Sequence, residues 1–172
     1  AFANADTPRL WSAMEAAAKA AGSDVPVSDM MHGWVFQPGY PVVTVSLADT
    51  AGSITVQQKR FTYLNQGKPA PGQWHIPLAI RANTADGKFE QTVALTDQTK
   101  TIYVGTDPKL VVVNADGQGF YRVNYSEDLR KPLFDSPGSL RVSERSNLLA
   151  ALWPTVLSGD TSLASYMNAA KK

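Results

Sequence analysis

No cysteine occurs in the 172 residues, and histidine occurs only at His32 and His75. The first absence removes disulfides, thiolate nucleophiles and thiolate metal sites together. The second leaves two imidazoles far apart in sequence, each without another histidine three or four residues away, so an H-E-x-x-H metallopeptidase helix cannot be written. Charge of one sign is lacking as well: 16 Lys and Arg stand against 15 Asp and Glu, a formal net charge of +1. Such a chain has no field with which to gather phosphates or anionic lipid, which argues against nucleic-acid and membrane-surface partners. No apolar run approaches the roughly 20 residues of a bilayer span. Ala1 to Asp6 also lack the basic start and apolar stretch of a signal peptide, so no targeting address is expected here.

Other chemistries lack support. No serine sits in a G-x-S-x-G elbow. The run Asp116-Gly117-Gln118-Gly119 has the wrong spacing for a phosphate loop and reads as a hairpin turn. Glu127 and Asp128 suit a helix start, where negative charge faces the positive end of the dipole. Lys59 and Arg60 read as a solvated strand end, and Asn124-Tyr125-Ser126 is a glycosylation pattern that many chains carry by chance.

What the chain does have is a change of period. Leu10, Trp11, Met14, Ala18 and Ala21 recur at helical spacing, with Thr7 as the expected cap, Pro8 in the first turn and Gly22 as the stop. A second helix is expected over 28–36, ended by Gln37-Pro38-Gly39. From Tyr40 to Tyr125 the pattern alternates, with strands expected near 42–48, 53–61, 74–81, 88–95, 99–104, 109–113 and 119–124. Asp86-Gly87 and Asp116-Gly117 signal hairpins, Ala51-Gly52 does so more weakly, and 65–72 reads as a long crossing loop. After Tyr125 the helical period returns in Leu148, Leu149, Leu152, Trp153, Val156 and Leu157, with Ser143 expected to cap it. Pro154 lacks the N–H that would bond back to Ala150, so a kink or early stop is expected, and a further helix should begin near Thr161.

Five segments, in order, carry a family resemblance. Met30-Met31-His32-Gly33-Trp34-Val35-Phe36-Gln37-Pro38-Gly39-Tyr40-Pro41-Val42-Val43 resembles the close of the catalytic domain of aminopeptidase N-like zinc metallopeptidases, running into the first strand of a β-sandwich. Ile54 to Phe61 and Trp74-His75-Ile76-Pro77-Leu78 are similar to two of that sandwich's strands. Val113 to Tyr125 is similar to the family's N-x-x-x-x-G-aromatic-Y-R-V-x-Y strand, and Ser143 to Leu149 to the start of its helical C-terminal domain. The family's zinc helix and its G-x-M-E-N motif are not found; Ser12-Ala13-Met14-Glu15-Ala16 echoes the latter without its glycine and asparagine.

The expected fold is therefore mainly β: an antiparallel immunoglobulin-like sandwich of about seven strands, flanked by helices, with boundaries at 1–39, 40–126 and 127–172. The resemblance implies a parent that uses zinc to remove N-terminal residues from peptides, while this chain holds no cofactor, metal ligand or catalytic residue. Its expected partners are the neighbouring catalytic and helical domains of the same polypeptide. The candidate interdomain residues are Trp34, Gln37, Pro38, Gly39, Tyr121 and Arg122. Trp34 is the expected anchor where helix meets sheet, Pro38 and Gly39 turn the chain, and Pro41 starts an edge strand. Arg122 faces away from Tyr121 and Tyr125 by strand alternation, either bridging to the next domain or pointing to solvent. The rival is a free-standing immunoglobulin-like module that binds protein or carbohydrate through its loops.

Overall fold

A computed structural model of the chain describes residues 6–63 and 71–171. They fall into two compact units, Ala1–Pro38 and Gly39–Lys172.

In the first unit α1 spans Thr7–Ala20 and α2 spans Val27–Phe36. The cap of α1 is Asp6 and not the expected Thr7: its Oδ1 accepts the Arg9 N–H at 3.1 Å, and a carboxylate there also meets the positive end of the dipole. Gly22, at φ +80°, ends the helix as expected. Glu15 of α1 accepts the Ser28 N–H at 3.1 Å, so it satisfies an orphan donor at the start of α2. That bond holds the Glu15 carboxyl below its usual pKa. Trp11 is buried and meets Phe36 edge-on at 5.9 Å, whereas Leu10, Met14, Val35 and Phe36 remain exposed.

The second unit holds two sheets. One has the strand order β5-β2-β1-β7, from β1 (Pro41–Leu47), β2 (Ser53–Arg60), β5 (Thr99–Tyr103) and β7 (Arg122–Tyr125). The other has the order β4-β3-β6, from β3 (Ile76–Thr84), β4 (Gly87–Leu95) and β6 (Leu110–Val113). Alternation selects the buried face: Val43, Val45, Ile54 and Val56 in the first sheet, and Ile76, Leu78, Ile80 and Ala82 in the second, are all buried. Three helices follow: α3 (Glu127–Asp135), α4 (Val142–Leu157) and α5 (Leu163–Ala170).

Seven strands fall near where the alternation placed them, although β3 is shifted to Ile76–Thr84 and β7 begins only at Arg122, and the fold is β-rich. It is not purely antiparallel, because β1 and β7 pair in parallel from Val42↔Arg122 to Val45↔Tyr125. A parallel pair needs a long crossover, and the chain between β1 and β7 supplies it. Helical residues also outnumber strand residues, since α3 to α5 extend the helical share beyond a mainly β fold. Pro41 begins an inner strand rather than an edge strand: it pairs with Arg60 on β2, and the β7 ladder starts one residue later, so the missing N–H breaks no bond on that side.

Asp86-Gly87 belongs to the expected hairpin, with Thr84 paired to Gly87 at φ +118°. Asp116-Gly117 does not form one. Asn114, Asp116 and Gly117 take positive φ as their chemistry allows, but they build a short 3-10 turn, Ala115–Gly117, that carries the chain from β6 in one sheet to β7 in the other. The long loop expected at 65–72 lies mostly outside the described residues. The cap of α4 is Arg141 and not Ser143, and the helix runs through Pro154 to Leu157.

Candidate functional site

The polar groups of the second unit converge where α4 meets the sheets. Arg81 stands in β3 on the face away from the buried Ile80 and Ala82, and Glu144 is in the first turn of α4. Arg81 Nε donates to Glu144 Oε1 at 3.2 Å and Nη2 donates to Oε2 at 2.6 Å, a two-point fork between guanidinium and carboxylate. The pair is taken out of water: the side chains retain only 13% and 1% exposure. Arg81 Nη2 also donates to the Ser139 carbonyl at 3.2 Å, and Glu144 Oε2 accepts the Arg141 N–H at 2.8 Å, capping α4. Burial pushes the Glu144 carboxyl upward, but the Arg81 guanidinium and the Arg141 N–H outweigh it and hold it below its ordinary value.

Around this fork lies an exposed ring of charge. Arg141 Nη1 donates to Asp116 Oδ2 at 2.8 Å and Nη2 to Glu90 Oε1 at 3.1 Å, tying the helix start to the 3-10 turn and to β4. Gly117 fits closely here, because a Cβ at its φ of +70° would collide with the amide of Asn147 on α4.

Deeper in, Tyr125 closes the two sheets on each other. Its hydroxyl accepts the Val113 N–H at 2.8 Å and donates to the Val113 carbonyl at 3.1 Å, occupying both backbone groups of one β6 residue from β7. Burial raises the Tyr125 pKa. Tyr121 is also buried and raised for the same reason; its hydroxyl faces the backbone of Ala79 and Asn114 without a well-formed hydrogen bond. A cavity of ≈ 90 Å³ between β6, β7 and α4 is lined in part by Tyr121, Asn114, Glu144 and Asn147.

Arg122 takes the opposite face. Its guanidinium lies 5.3 Å from the ring centres of both Tyr40 and Phe61, which stack on each other at 5.3 Å. Nε donates to the Tyr40 hydroxyl at 2.9 Å and Nη1 to the Ala150 carbonyl of α4 at 3.1 Å. Of the other candidates, Trp34 is half-buried in α2, and Gln37 and Pro38 follow that helix in the first unit. Gly39 opens the second unit at φ +86°, with the Arg60 side chain beside it. The structure thus brings Tyr121 and Arg122 to the α4 contact and places Trp34, Gln37 and Pro38 in the other unit.

Arg81, Glu144 and Gln58 did not stand out in the sequence. Glu144 had one available signal, its place three residues after the α4 cap, where a glutamate reaches back to the cap N–H. Gln58 had none. It is buried and fully engaged, with Nε2 donating to the Trp74 and Asp97 carbonyls and Oε1 accepting the Trp74 N–H. Arg60, expected in solvent, lies over the Trp74 ring at 5.7 Å and donates to the Pro71 carbonyl.

His32 packs against Phe36 in α2 while His75 belongs to the other unit, and among the described residues no three His, Cys, Asp or Glu gather as a metal site. The donor set does not fit zinc. Glu15, in the segment that echoes G-x-M-E-N, accepts from Ser28 and pairs with Lys19 within the first unit.

No protein-family model matches the chain. Individual relatives do: it is 30% identical to Aminopeptidase M1 of Arabidopsis thaliana over 97% of its length, and 31% identical to Aminopeptidase 2, mitochondrial, of Saccharomyces cerevisiae over 99%. A probable M1 family aminopeptidase 1 of Encephalitozoon cuniculi is 31% identical over 86% of the chain. This chain belongs to the M1 aminopeptidase family. It covers 20% of the plant relative, 17% of the yeast one and 16% of the third, so the M1 segment represented here spans under a quarter of those proteins.

Proposed function

We propose that this chain is the non-catalytic β-module of a zinc aminopeptidase that removes N-terminal residues from peptides, and that its task is to hold helices at a set position on an immunoglobulin-like sandwich. The observation that carries the reading is the desolvated Arg81–Glu144 fork joining β3 to the first turn of α4. Nothing in a self-contained sandwich requires a buried ion pair to a following helix; a module that positions helices does, because a wrong placement strands two charges in a dry site. The exposed apolar side chains fit the same reading. Leu10, Met14, Val35 and Phe36 in the first unit, and Leu149, Trp153, Leu163 and Met167 on α4 and α5, are surfaces that neighbouring domains of one polypeptide would cover. Zinc belongs to the parent and not to these residues, whose donors do not fit it.

The purified chain should bind no stoichiometric zinc and release no chromophore from aminoacyl anilides, checked by elemental analysis and a continuous absorbance assay. The reading frame encoding it should contain H-E-x-x-H upstream of Ala1. Zinc at one per chain with turnover, or a reading frame without that motif, overturns the proposal.

A further inference from the structure

In a regular helix every interior carbonyl is taken by the N–H four residues on. Pro154 has no N–H, so within α4 it releases the carbonyl of Ala150. That carbonyl is the one Arg122 reaches, with Nη1 at 3.1 Å. The same guanidinium is fixed from behind by the Tyr40 hydroxyl and by the faces of Tyr40 and Phe61, at the start of β1 and just beyond β2. Pro154 itself is buried, so the proline is packed into the contact rather than tolerated at its margin.

We infer that Pro154 and Arg122 form a register lock: the proline marks one carbonyl on α4 as free, and Arg122 supplies the donor the proline lacks. Sliding α4 by one turn would present Arg122 with a carbonyl already bonded inside the helix and leave that of Ala150 without a donor. The lock therefore selects a single axial position, which a purely apolar stripe does not. A lysine cannot replace the arginine, because one ammonium cannot bond Tyr40 and Ala150 in two directions while lying over both rings. Arg122 is accordingly a positioning residue, acting on α4 through the backbone. The inference rests on the reading of this chain as a helix-holding module but has its own point of failure.

The test is a double-mutant cycle on the full 172-residue chain, Arg122→Met against Pro154→Ala, with stability from denaturant melts and the Ala150 carbonyl ¹³C shift as a local readout. Arg122→Met should lower the folding constant about tenfold when Pro154 is present and about threefold or less in Pro154→Ala, where residue 154 donates to Ala150. The Ala150 shift should move in Arg122→Met and equally in Arg122→Lys, which keeps the charge. Pro132→Ala, at the proline inside α3, should show no coupling to Arg122. Equal losses in the two backgrounds, or an Ala150 shift indifferent to Arg122, overturn the lock. Should Arg122→Met not fold, the shift in Arg122→Lys alone decides. Zinc binding with turnover would remove the module reading while leaving the cycle's result intact, so the two failures are distinguishable.

Discussion

At the start of α4 two arginine–carboxylate contacts lie three residues apart in sequence and in different solvents. Arg141 meets Glu90 and Asp116 in the open, with roughly half of each side chain exposed. Arg81 meets Glu144 in a site that excludes water. The first is a pair of contacts that water and salt can replace; the second has no substitute once formed. The charges are of the same kind in both; burial, together with the two-point fork it encloses, makes one of them a constraint on where the helix sits.

Breaking the buried pair from one side is the severest test of that contrast. Glu144→Ala leaves Arg81 desolvated without a partner and removes the α4 cap, and should cost about 3–5 kcal/mol in chemical denaturation. Replacing both partners by Met and Leu should cost only about 1 kcal/mol, because the desolvation cost disappears with the attraction and only the cap at the Arg141 N–H is lost. The pH profile follows from the direction of the Glu144 shift. Its pKa is lower in the folded chain than the ordinary 4.5, so it stabilises the fold at pH values above that figure, and this contribution is lost as pH falls through the depressed folded value. Glu144→Gln should flatten that acid limb in a series of melts between neutral pH and about 3.

Tyr125→Phe should come next. It strips Val113 of a donor and an acceptor at once and should cost about 1–3 kcal/mol. The alkaline side belongs to this residue and to Tyr121. Their folded pKa values are raised, so the fold is fully stabilised below the ordinary tyrosine value of 10.0 and loses ground as pH climbs beyond it. Tyr125→Phe should blunt that loss. The smallest effect is expected from Arg141→Ala: a slight drop in Tm at low salt that vanishes at high salt. A drop as large as that of Glu144→Ala, or one indifferent to salt, would remove the distinction between the two contacts.

The elements were legible because periodicity is local. Strand alternation through Val43, Val45, Ile54 and Val56 identified the buried face, and Gly22 and Asp86-Gly87 marked a stop and a hairpin through backbone preferences that need no tertiary partner. The site was legible only in part. Arg122 and Tyr121 drew notice within a family-like strand, while Arg81 and Gln58 looked like ordinary outward polar residues of alternating strands. What sets those two apart is the approach of α4 in one case and of the Trp74 backbone in the other, and neither is encoded in the neighbouring sequence. Asp116-Gly117 misled for a related reason: positive φ permits a tight turn but does not say which sheet the next strand joins.

Sequence alone determined the period of each segment, the lack of a metal-binding histidine pair and the kinship with M1 aminopeptidases, since each follows from residue type and spacing along the chain. Only the tertiary structure decided that β1 and β7 run parallel, that a proline-freed carbonyl meets Arg122 and that Glu144 is dry while Arg141 is wet. Those outcomes depend on which surfaces exclude water from each other, and exclusion of water is a property of packed neighbours, not of neighbours in sequence.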